Sequence, residues 1–343
     1  MTISVGVCTH NGAKYIEEQL NSIITQTVKP DEIVLSDDNS SDETLEIAKR
    51  VLSESGIRYR IKAHHEHQGI TKNFSGCFDL CTGDIIFSSD QDDIWMRDKI
   101  ESFLPYFKRG NVFVYSNAEV IDENKSVLLH DFWSIYGIKF TQLSKKQFSK
   151  KLLTSMCIAG CNMAFTKELY HAIRPTPFHF IHDSWIAICA PWYGDIAFIE
   201  KPLIMYRQHA NNSSGFTLTS SEKANQKSAQ AEEKTDSIYK TEVPNNWFNN
   251  PCHYYLCSVV FNERMRSVVD NEYAKLIDKS MRYHSTMMKC LPKQKFLSLM
   301  RLMYLYVIGD YRLFRGNAKQ LARDFYYIIC NSNKSFCYDT SVW

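Results

Sequence analysis

Three carboxylates within four residues, directly after a short apolar run, are the part of the sequence best suited to chemistry. The run Ile85–Phe87 suits one buried strand and is too short for a helix of ordinary length, and Asp90, Asp92 and Asp93 follow it. Like charges packed at one point repel one another. A divalent cation relieves that repulsion, and oxygen-only ligands favour Mg²⁺ or Mn²⁺. We therefore interpret the cluster as a metal and diphosphate site rather than a solvated acidic loop.

A second acidic pair, Asp37 and Asp38, follows the apolar strand predicted over Glu32–Ser36. Ligands of open α/β sheets collect just beyond the carboxyl ends of the strands. In a parallel sheet those ends lie on one edge, so both acidic groups should converge on the same crevice.

Alternating strands and helices in the first 110 residues indicate a mostly parallel sheet with right-handed crossovers. Ser40 and Glu43 predict a capping box at the start of the second helix. Besides the apolar run, the predicted strands are Ile3–Cys8, Glu32–Ser36, Tyr59–Ala63, Val112–Tyr115 and an edge strand at Ile196–Ile199. The predicted helices lie near 16–24, 45–52, 71–80, 100–107 and 182–190.

The chain as a whole predicts an α/β fold, Rossmann-like with flanking helices, plus a C-terminal helical region. We place the α/β domain at 1–215, a flexible polar linker or loop at 216–250 and the helical region at 251–343. The end of the chain is apolar and basic, which fits peripheral membrane contact. It fits equally well a helix packed on its own domain or on a second copy of the chain, a homodimer.

The composition excludes several classes of protein. The 343 residues carry a net charge of only +2, which does not favour nucleic acid as a partner. The start lacks a basic, signal-length apolar stretch, and no run reaches the ~20 apolar residues of a membrane span. The eleven cysteines are scattered and odd in number, as in reduced cytosolic proteins. We expect a cytoplasmic protein that can act at the inner face of the cell membrane.

Three motifs, taken in order and spacing, resemble inverting family 2 glycosyltransferases of the GT-A fold, and two later motifs extend the resemblance. The resemblance covers about residues 1–215, and the last two motifs look more specifically like the bacterial rhamnosyltransferase branch. The motifs are Thr9-His10-Asn11-Gly12, Asp37-Asp38-Asn39-Ser40, Ser89-Asp90-Gln91-Asp92-Asp93-Ile94-Trp95, His182-Asp183 and Tyr206-Arg207-Gln208-His209 with Asn212 and Ser214-Gly215.

The resemblance implies a donor-binding role for five residues. Thr9 and Asn11 match the first loop, which touches the nucleotide. Asp38 matches the carboxylate that accepts a hydrogen bond from the pyrimidine base. Lys72 lies where a basic residue approaches the diphosphate, and Asp90 matches the first acid of the DxD motif, which faces the ribose or the metal.

It also implies a metal site and a catalytic base. Asp92 matches the metal-binding acid of the DxD motif, and His209 resembles a late metal or diphosphate contact. Asp183 stands at the base position, where the common family form is Glu-Asp and this chain has His-Asp. Inverting transfer needs one carboxylate, apart from the metal acids, to take the proton of the acceptor hydroxyl. Asp93 is the alternative base, but it stands close enough to the metal set to be explained as support.

These features predict a metal-dependent inverting glycosyltransferase. Its donor would be dTDP-rhamnose or a UDP-hexose, and its acceptor a hydroxyl of a growing bacterial surface glycan such as O-antigen or capsule, carried on a lipid. A sugar-phosphate nucleotidyltransferase is the alternative within catalysis, although it would carry an early Gly-rich phosphate loop with an arginine. A non-catalytic nucleotide-sugar-binding protein is the other alternative, although it would be free to lose Asp92 or Asp183.

Overall fold

The computed structural model describes residues 1–153, 157–177, 180–209, 212, 251–288 and 295–308. The chain divides into two compact units, Met1–Lys145 with Cys157–Pro244, and Lys146–Met156 with Asn245–Trp343. The predicted linker, 216–250, lies outside the described residues, so the domain limits stay a prediction.

The parallel half of the sheet lies in the first unit and comes from the first quarter of the chain. Its strands are ordered β3-β2-β1-β4, all parallel. Every residue of β1, β2 and β4 is buried, as expected when helices cover both faces of a parallel sheet. The elements are β1 (Ile3–Thr9), α1 (Ile16–Ile24), β2 (Glu32–Asp37), α2 (Thr44–Glu54), β3 (Arg58–Ala63), α3 (Ile70–Leu80) and β4 (Ile85–Ser89).

The other half of the sheet mixes directions. β8 runs antiparallel between β4 and β6, and β9 pairs with β6 in parallel and with β5 in antiparallel fashion. The α/β prediction is confirmed, with antiparallel strands added at this side. The elements are β5 (Ile94–Trp95), α4 (Lys99–Lys108), β6 (Asn111–Ile121), β7 (Val127–Leu129), α5 (Lys145–Leu152), β8 (Met163–Thr166), α6 (Lys167–Ile173), α7 (His182–Tyr193) and β9 (Asp195–Arg207).

Two local predictions need correction. The strand at Ile196–Ile199 continues to Arg207, and β5 pairs with its second part, so it is not an edge strand there. Irregularities in its pairing with β6 interrupt the alternation that the sequence pattern depends on. The capping box is also absent, because the buried Asp37 carboxylate accepts the Ser40 hydroxyl at 2.5 Å. Glu43 makes no side-chain cap.

The described part of the second unit is helical, which confirms the predicted C-terminal helices. Within it, the Tyr273 hydroxyl donates to the Ser149 carbonyl at 2.9 Å, and Phe261 and Ile277 are fully buried. No helix among the described residues is long and apolar enough to cross a membrane. Its C-terminal helices are α8 (Pro251–Met265), α9 (Asn271–Met288) and α10 (Lys295–Val307).

Candidate active site

The carboxyl ends of β1, β2 and β4 meet at one edge of the sheet, as the sequence predicted. Thr9 at the end of β1 pairs with Asp37 at the end of β2, and Val7 pairs with Ser89 of β4. The loops that follow are joined by hydrogen bonds. The Gln91 side chain accepts from His10 N at 2.8 Å and donates to His10 O at 3.0 Å. The acidic loop 90–93 is thereby tied to the loop after β1.

The loop after β1 is shaped by its polar side chains. The buried Thr9 hydroxyl donates to Asp37 Oδ1 at 2.6 Å. Asn11 has a positive φ of 49°, and its Oδ1 accepts from Ser41 N at 2.9 Å. A Cβ on Gly12 would collide with Gln91 Oε1, so glycine at 12 leaves room for the Gln91 amide that ties the two loops together. Thr9 and Asn11 build the rim where the nucleotide is predicted to bind.

Asp38 lies buried at the same rim and organises the loop before α3. Its Oδ1 accepts from Gln68 N at 2.6 Å, and its Oδ2 accepts from Gly69 N at 2.9 Å. His67 Nδ1 lies 3.0 Å from the same Oδ2. The ring centroids of His10 and His67 are 4.7 Å apart. Among the described residues Asp38 Oδ1 has one partner and keeps an acceptor site for a ligand, since each oxygen can accept more than one hydrogen bond.

Lys72 lies exposed in the first turn of α3, three residues after Gly69. The structure places it on the helix that the Asp38 loop leads into. Its predicted approach to a diphosphate stays a prediction.

The acidic cluster separates into two groups in space. Asp90, Asp93 and Cys161 form one group, whose potential ligand atoms lie within 4.8 Å of one another. Asp93 is only 1% exposed, and its Oδ2 has no hydrogen-bond partner among the described residues. Burial, followed by the charge of Asp92, raises the pKa of Asp93 to about 7. Burial and the charge of Asp93 raise the pKa of Asp90 well above its ordinary value.

Lys99 is a buried cation that the sequence analysis missed. It is fully buried, its Nζ donates to the Cys161 carbonyl at 2.6 Å, and it lies 3.9 Å above the Trp95 ring. Burial lowers its pKa to about 7, while the charges of Asp93 and Asp90 favour its ammonium form. This ammonium offers the Asp90–Asp93 group a cation from the chain itself. The signal was available, because Lys99 stands one helical turn before Phe103 on the face predicted to be buried.

Asp92 and His209, the two predicted metal ligands, lie side by side. Asp92 Oδ2 is 2.8 Å from His209 Nε2, although 117 positions separate them in the chain. The imidazole stacks on the Tyr15 ring with a centroid distance of 4.9 Å. A carboxylate oxygen binds both Mn²⁺ and Mg²⁺, whereas an imidazole nitrogen favours transition metals. The pair therefore favours Mn²⁺ over Mg²⁺. Both groups offer ligands to a divalent cation: the Asp92–His209 pair an oxygen and a nitrogen, and the Asp90–Asp93 group two carboxylates and a thiol, with Lys99 nearby.

Asp183 lies in the first turn of α7 and is not a member of the Asp92–His209 pair. Its Oδ1 accepts from Ser184 N at 2.5 Å and from the Ser184 hydroxyl at 3.1 Å. Burial raises the pKa of Asp183 to about 6 against these hydrogen bonds, which lower it. The charge of Asp183 also contributes to the raised pKa of Asp90, so the two carboxylates are within electrostatic reach. A carboxylate of this kind is a good proton acceptor near neutral pH.

His182 anchors the start of α7 beside Asp183. Its buried ring stacks on Phe74 with centroids 3.7 Å apart, and burial lowers its pKa to about 3, so the ring is neutral. A Cβ on Gly160 would lie 2.8 Å from His182 Nε2. Glycine at 160 therefore lets the loop before β8 pass directly over the ring.

Comparison with known proteins gives a consistent family. The profile described as Glycosyl transferase family 2 matches residues 4–174. The chain is 31% identical to dTDP-rhamnosyl transferase RfbG of Shigella flexneri, over 62% of this chain and 75% of that protein. It is 27% identical to UDP-Glc:alpha-D-GlcNAc-diphosphoundecaprenol beta-1,3-glucosyltransferase WfgD of Escherichia coli, over 54% of this chain and 69% of that protein.

A similar fold occurs in a solved structure. TarS 1-349 of S. aureus, in complex with UDP-GlcNAc, superposes with a TM-score of 0.56 at 14% identity, over 96% of this chain and 82% of that chain. Structures of this kind have the GT-A fold, which confirms the predicted fold class.

Proposed function

The chain belongs to glycosyl transferase family 2, and from that premise we propose that it moves a sugar from a nucleotide-sugar donor to a saccharide hydroxyl with inversion at the anomeric carbon. The observation that carries the proposal is that the candidate base and the candidate metal ligands are different residues with different partners. Asp183 is a part-buried carboxylate with a raised pKa that accepts from Ser184, whereas Asp92 pairs with His209. One group accepts a proton and the other serves the leaving group.

The chemistry at Asp183 is a single displacement. Its carboxylate takes the proton from the acceptor hydroxyl while that oxygen forms a bond to the anomeric carbon. The bond from the anomeric carbon to the diphosphate oxygen breaks, and the departing nucleoside diphosphate keeps the electron pair. General-base assistance of this kind is worth roughly 10²–10⁴-fold in rate. Ser184 donates to one carboxylate oxygen, and the Gly160 backbone also favours the ionised form that takes the proton.

Asp92 and His209 are the residues that would hold Mn²⁺ or Mg²⁺. A bound divalent ion would stabilise the negative charge that develops on the departing diphosphate. Both residues are largely buried, with side-chain exposures of 14% and 7%. Asp93 is better explained as support than as the base, because it is only 1% exposed and its Oδ1 accepts the Arg207 backbone N–H at 3.0 Å beside the proposed metal ligands.

The donor would lie along the loops after β1, β2 and β4. Asp38 would receive the base, Thr9 and Asn11 would border the nucleotide, Asp90 would face the ribose or the metal, and Lys72 would approach the diphosphate. The names of the relatives support two donors. One relative is a dTDP-rhamnosyl transferase and another a UDP-Glc-dependent glucosyltransferase, so we propose dTDP-rhamnose or a UDP-hexose.

Thermal-shift measurement with dTDP-, UDP- and GDP-sugars in the presence of Mn²⁺ tests the donor. We expect a dTDP- or UDP-sugar to raise the melting temperature, because binding at about 100 times Kd stabilises the folded state by about 2.7 kcal/mol. Removal of Mn²⁺ with a chelator should reduce the shift. Stabilisation by GDP-sugars alone, or by no nucleotide sugar, would contradict the proposed donor class.

The acceptor that we propose is a lipid-linked saccharide of a bacterial surface glycan such as O-antigen or capsule. The E. coli relative is named for a diphosphoundecaprenol-linked acceptor. The outer face of α10 offers a surface for the membrane, since its opposite face, with Leu302 and Leu305, is buried. The exposed residues of this outer stripe are Leu297, Met300, Met303, Tyr304, Val307 and Ile308.

Charge complementarity favours an anionic bilayer as the surface that meets this stripe. The sequence around α10 is rich in basic residues, and lysine and arginine near a bilayer are attracted to anionic lipids at about 1 kcal/mol each. The basic residues are Lys293, Lys295, Arg301, Arg312, Arg315, Lys319 and Arg323, against Asp310 and Asp324.

The double variant Met300→Glu, Val307→Glu should lose most binding to vesicles that contain phosphatidylglycerol, measured by cosedimentation. Both side chains are exposed, at 56% and 71%, so the folded protein should tolerate the change. Val268→Glu, at a 39% exposed position of the same unit, is the matched control and should bind like the unmodified chain. Equal sedimentation of the double variant would exclude the stripe. A dimer in the unmodified chain that the double variant dissociates, without vesicle binding by either, would assign the stripe to a homodimer instead.

A further inference from the structure

Arg207 is a charged side chain with 1% exposure at the end of β9. Each of its three guanidinium nitrogens donates a hydrogen bond. Nε donates to the Asp92 carbonyl at 2.7 Å, Nη1 to the Glu123 carbonyl at 3.3 Å and Nη2 to Glu18 Oε2 at 2.7 Å. The guanidinium carbon also lies 4.9 Å from the centroid of the Tyr15 ring. One side chain therefore joins the acidic loop, the β6–β7 turn and α1.

The backbone of the same residue holds the acidic loop a second time. Arg207 N donates to Asp93 Oδ1 at 3.0 Å. The segment that continues to His209 is closed by Asn212, whose Nδ2 donates to Arg207 O at 2.8 Å and whose Oδ1 accepts from His209 N at 2.5 Å. His209 is thus fixed to the residue that fixes Asp92 and Asp93.

Tyr15 links the two ends of this arrangement. Its ring contacts the Arg207 guanidinium on the one hand and stacks with the His209 imidazole, at an interplanar angle of 30°, on the other. The orientation of the His209 imidazole and the position of the Asp92 backbone therefore both depend on the contact between Tyr15 and Arg207.

A simple ion pair with Glu18 is the competing explanation for Arg207. Glu18 is 34% exposed and also pairs with Lys125, so the Glu18 carboxylate has a cationic partner without Arg207. A lysine at 207 could satisfy an ion pair. It could not reproduce the planar fork that reaches Asp92, Glu123 and Glu18 together, because lysine lacks the fixed donor geometry of arginine.

We propose that Arg207 is a positioning residue of the metal site, which holds Asp92 and His209 facing each other before the ion arrives. This inference rests on the proposed function, since it assigns the ion to Asp92 and His209. Groups behind metal ligands that orient them typically change metal affinity by roughly 10–100-fold when they are removed. Arg207 holds Asp92 by donating to the Asp92 carbonyl. It holds His209 through the backbone segment closed by Asn212 and through the Tyr15 ring.

The test is Mn²⁺ affinity of the full chain without donor, measured by electron paramagnetic resonance of the free ion, with the melting temperature taken separately in a chelator. Arg207→Gln should weaken Mn²⁺ binding by roughly 10–100-fold in the folded protein. Arg207→Lys should lose most of that affinity too, although it keeps the charge opposite Glu18. Glu18→Gln should bind Mn²⁺ nearly as the unmodified chain does. Arg50→Gln, which breaks the exposed pair with the neighbouring Glu17, is the matched control.

Two outcomes would overturn this role. Folded Arg207 variants that bind Mn²⁺ like the unmodified chain would make Arg207 merely structural. Full rescue by Arg207→Lys, with an equal loss in Glu18→Gln, would assign the effect to the ion pair. Failure of the unmodified chain to bind Mn²⁺ would instead overturn the proposed metal use itself, and the role of Arg207 with it. If Arg207→Gln does not fold, Arg207→Lys and Glu18→Gln decide between the explanations.

Discussion

Asp183→Asn should reduce the rate of sugar transfer by roughly 10²–10⁴-fold, the usual contribution of a general base, while donor affinity changes little. Asparagine keeps the size of the side chain and can still accept from Ser184 N, so the start of α7 should persist. It cannot take a proton from the acceptor hydroxyl. Turnover with a donor identified by thermal shift, and donor affinity by calorimetry, measure the two effects separately.

Glu168→Gln is the matched control for that substitution. Glu168 is an exposed carboxylate on α6, so its loss should leave turnover unchanged. A large loss of donor affinity in Asp183→Asn would remove Asp183 from the base role and place it in donor binding. Full activity in Asp183→Asn would exclude it from catalysis.

The pH dependence of kcat/KM gives an independent readout of the same group. Only the ionised carboxylate accepts a proton, and burial raises the pKa of Asp183 to about 6. As pH falls through about 6 the group becomes protonated, so kcat/KM should fall about tenfold per pH unit below that value. The activity it supports should be fully present well above pH 6. The residual activity of Asp183→Asn should show no such fall of kcat/KM at low pH. If kcat/KM of this variant still falls below about pH 6, the titration belongs to another group.

Asp92→Ala should abolish metal-dependent donor binding and reduce turnover by more than the roughly 10–100-fold that loss of an outer-shell partner costs. Alanine removes the oxygen that lies 2.8 Å from His209 Nε2. The Asp92 carbonyl, which accepts from Arg207 Nε, belongs to the backbone and remains. The loop should therefore keep its position, so the loss reports on the ligand and not on folding.

Calorimetric titration of Mn²⁺ and of the nucleotide sugar, each with and without the other, measures the coupling. In the unmodified chain each ligand should strengthen the binding of the other, and in Asp92→Ala this coupling should disappear. Glu168→Gln again serves as the carboxylate control. Turnover that persists unchanged in the presence of a chelator would show that no metal is used, whatever the effect of the substitution.

The convergence of the site was predictable from the sequence for a physical reason. Parallel strands end at the same edge of a sheet, so short apolar runs followed by acidic residues must meet there. The strands that end at Thr9, Asp37 and Ser89 do so. The position of Asp183 at the start of a helix was equally visible, since an apolar helix directly follows it.

Local prediction failed where a tertiary partner competed for a side chain. Ser40 was expected to cap α2, but the buried carboxylate of Asp37 takes its hydroxyl. β9 was expected to end at Ile199, but pairing with β5 and β6 extends it to Arg207. The extended strand places His209 beside Asp92, so the wrong strand limit affected a residue of the predicted metal site.

By itself, the sequence determined which residues could do chemistry, and that two strand ends would bring them to one crevice, because these depend on residue type and on chain direction. Only the tertiary structure decided how the carboxylates divide. Asp92 faces His209 across 117 residues, and Lys99 reaches across 62 residues to Cys161, which groups with Asp90 and Asp93. Such pairings depend on burial and on contacts between distant strands. No local pattern records these contacts, so the partners of the buried cations Lys99 and Arg207 emerged only in the fold.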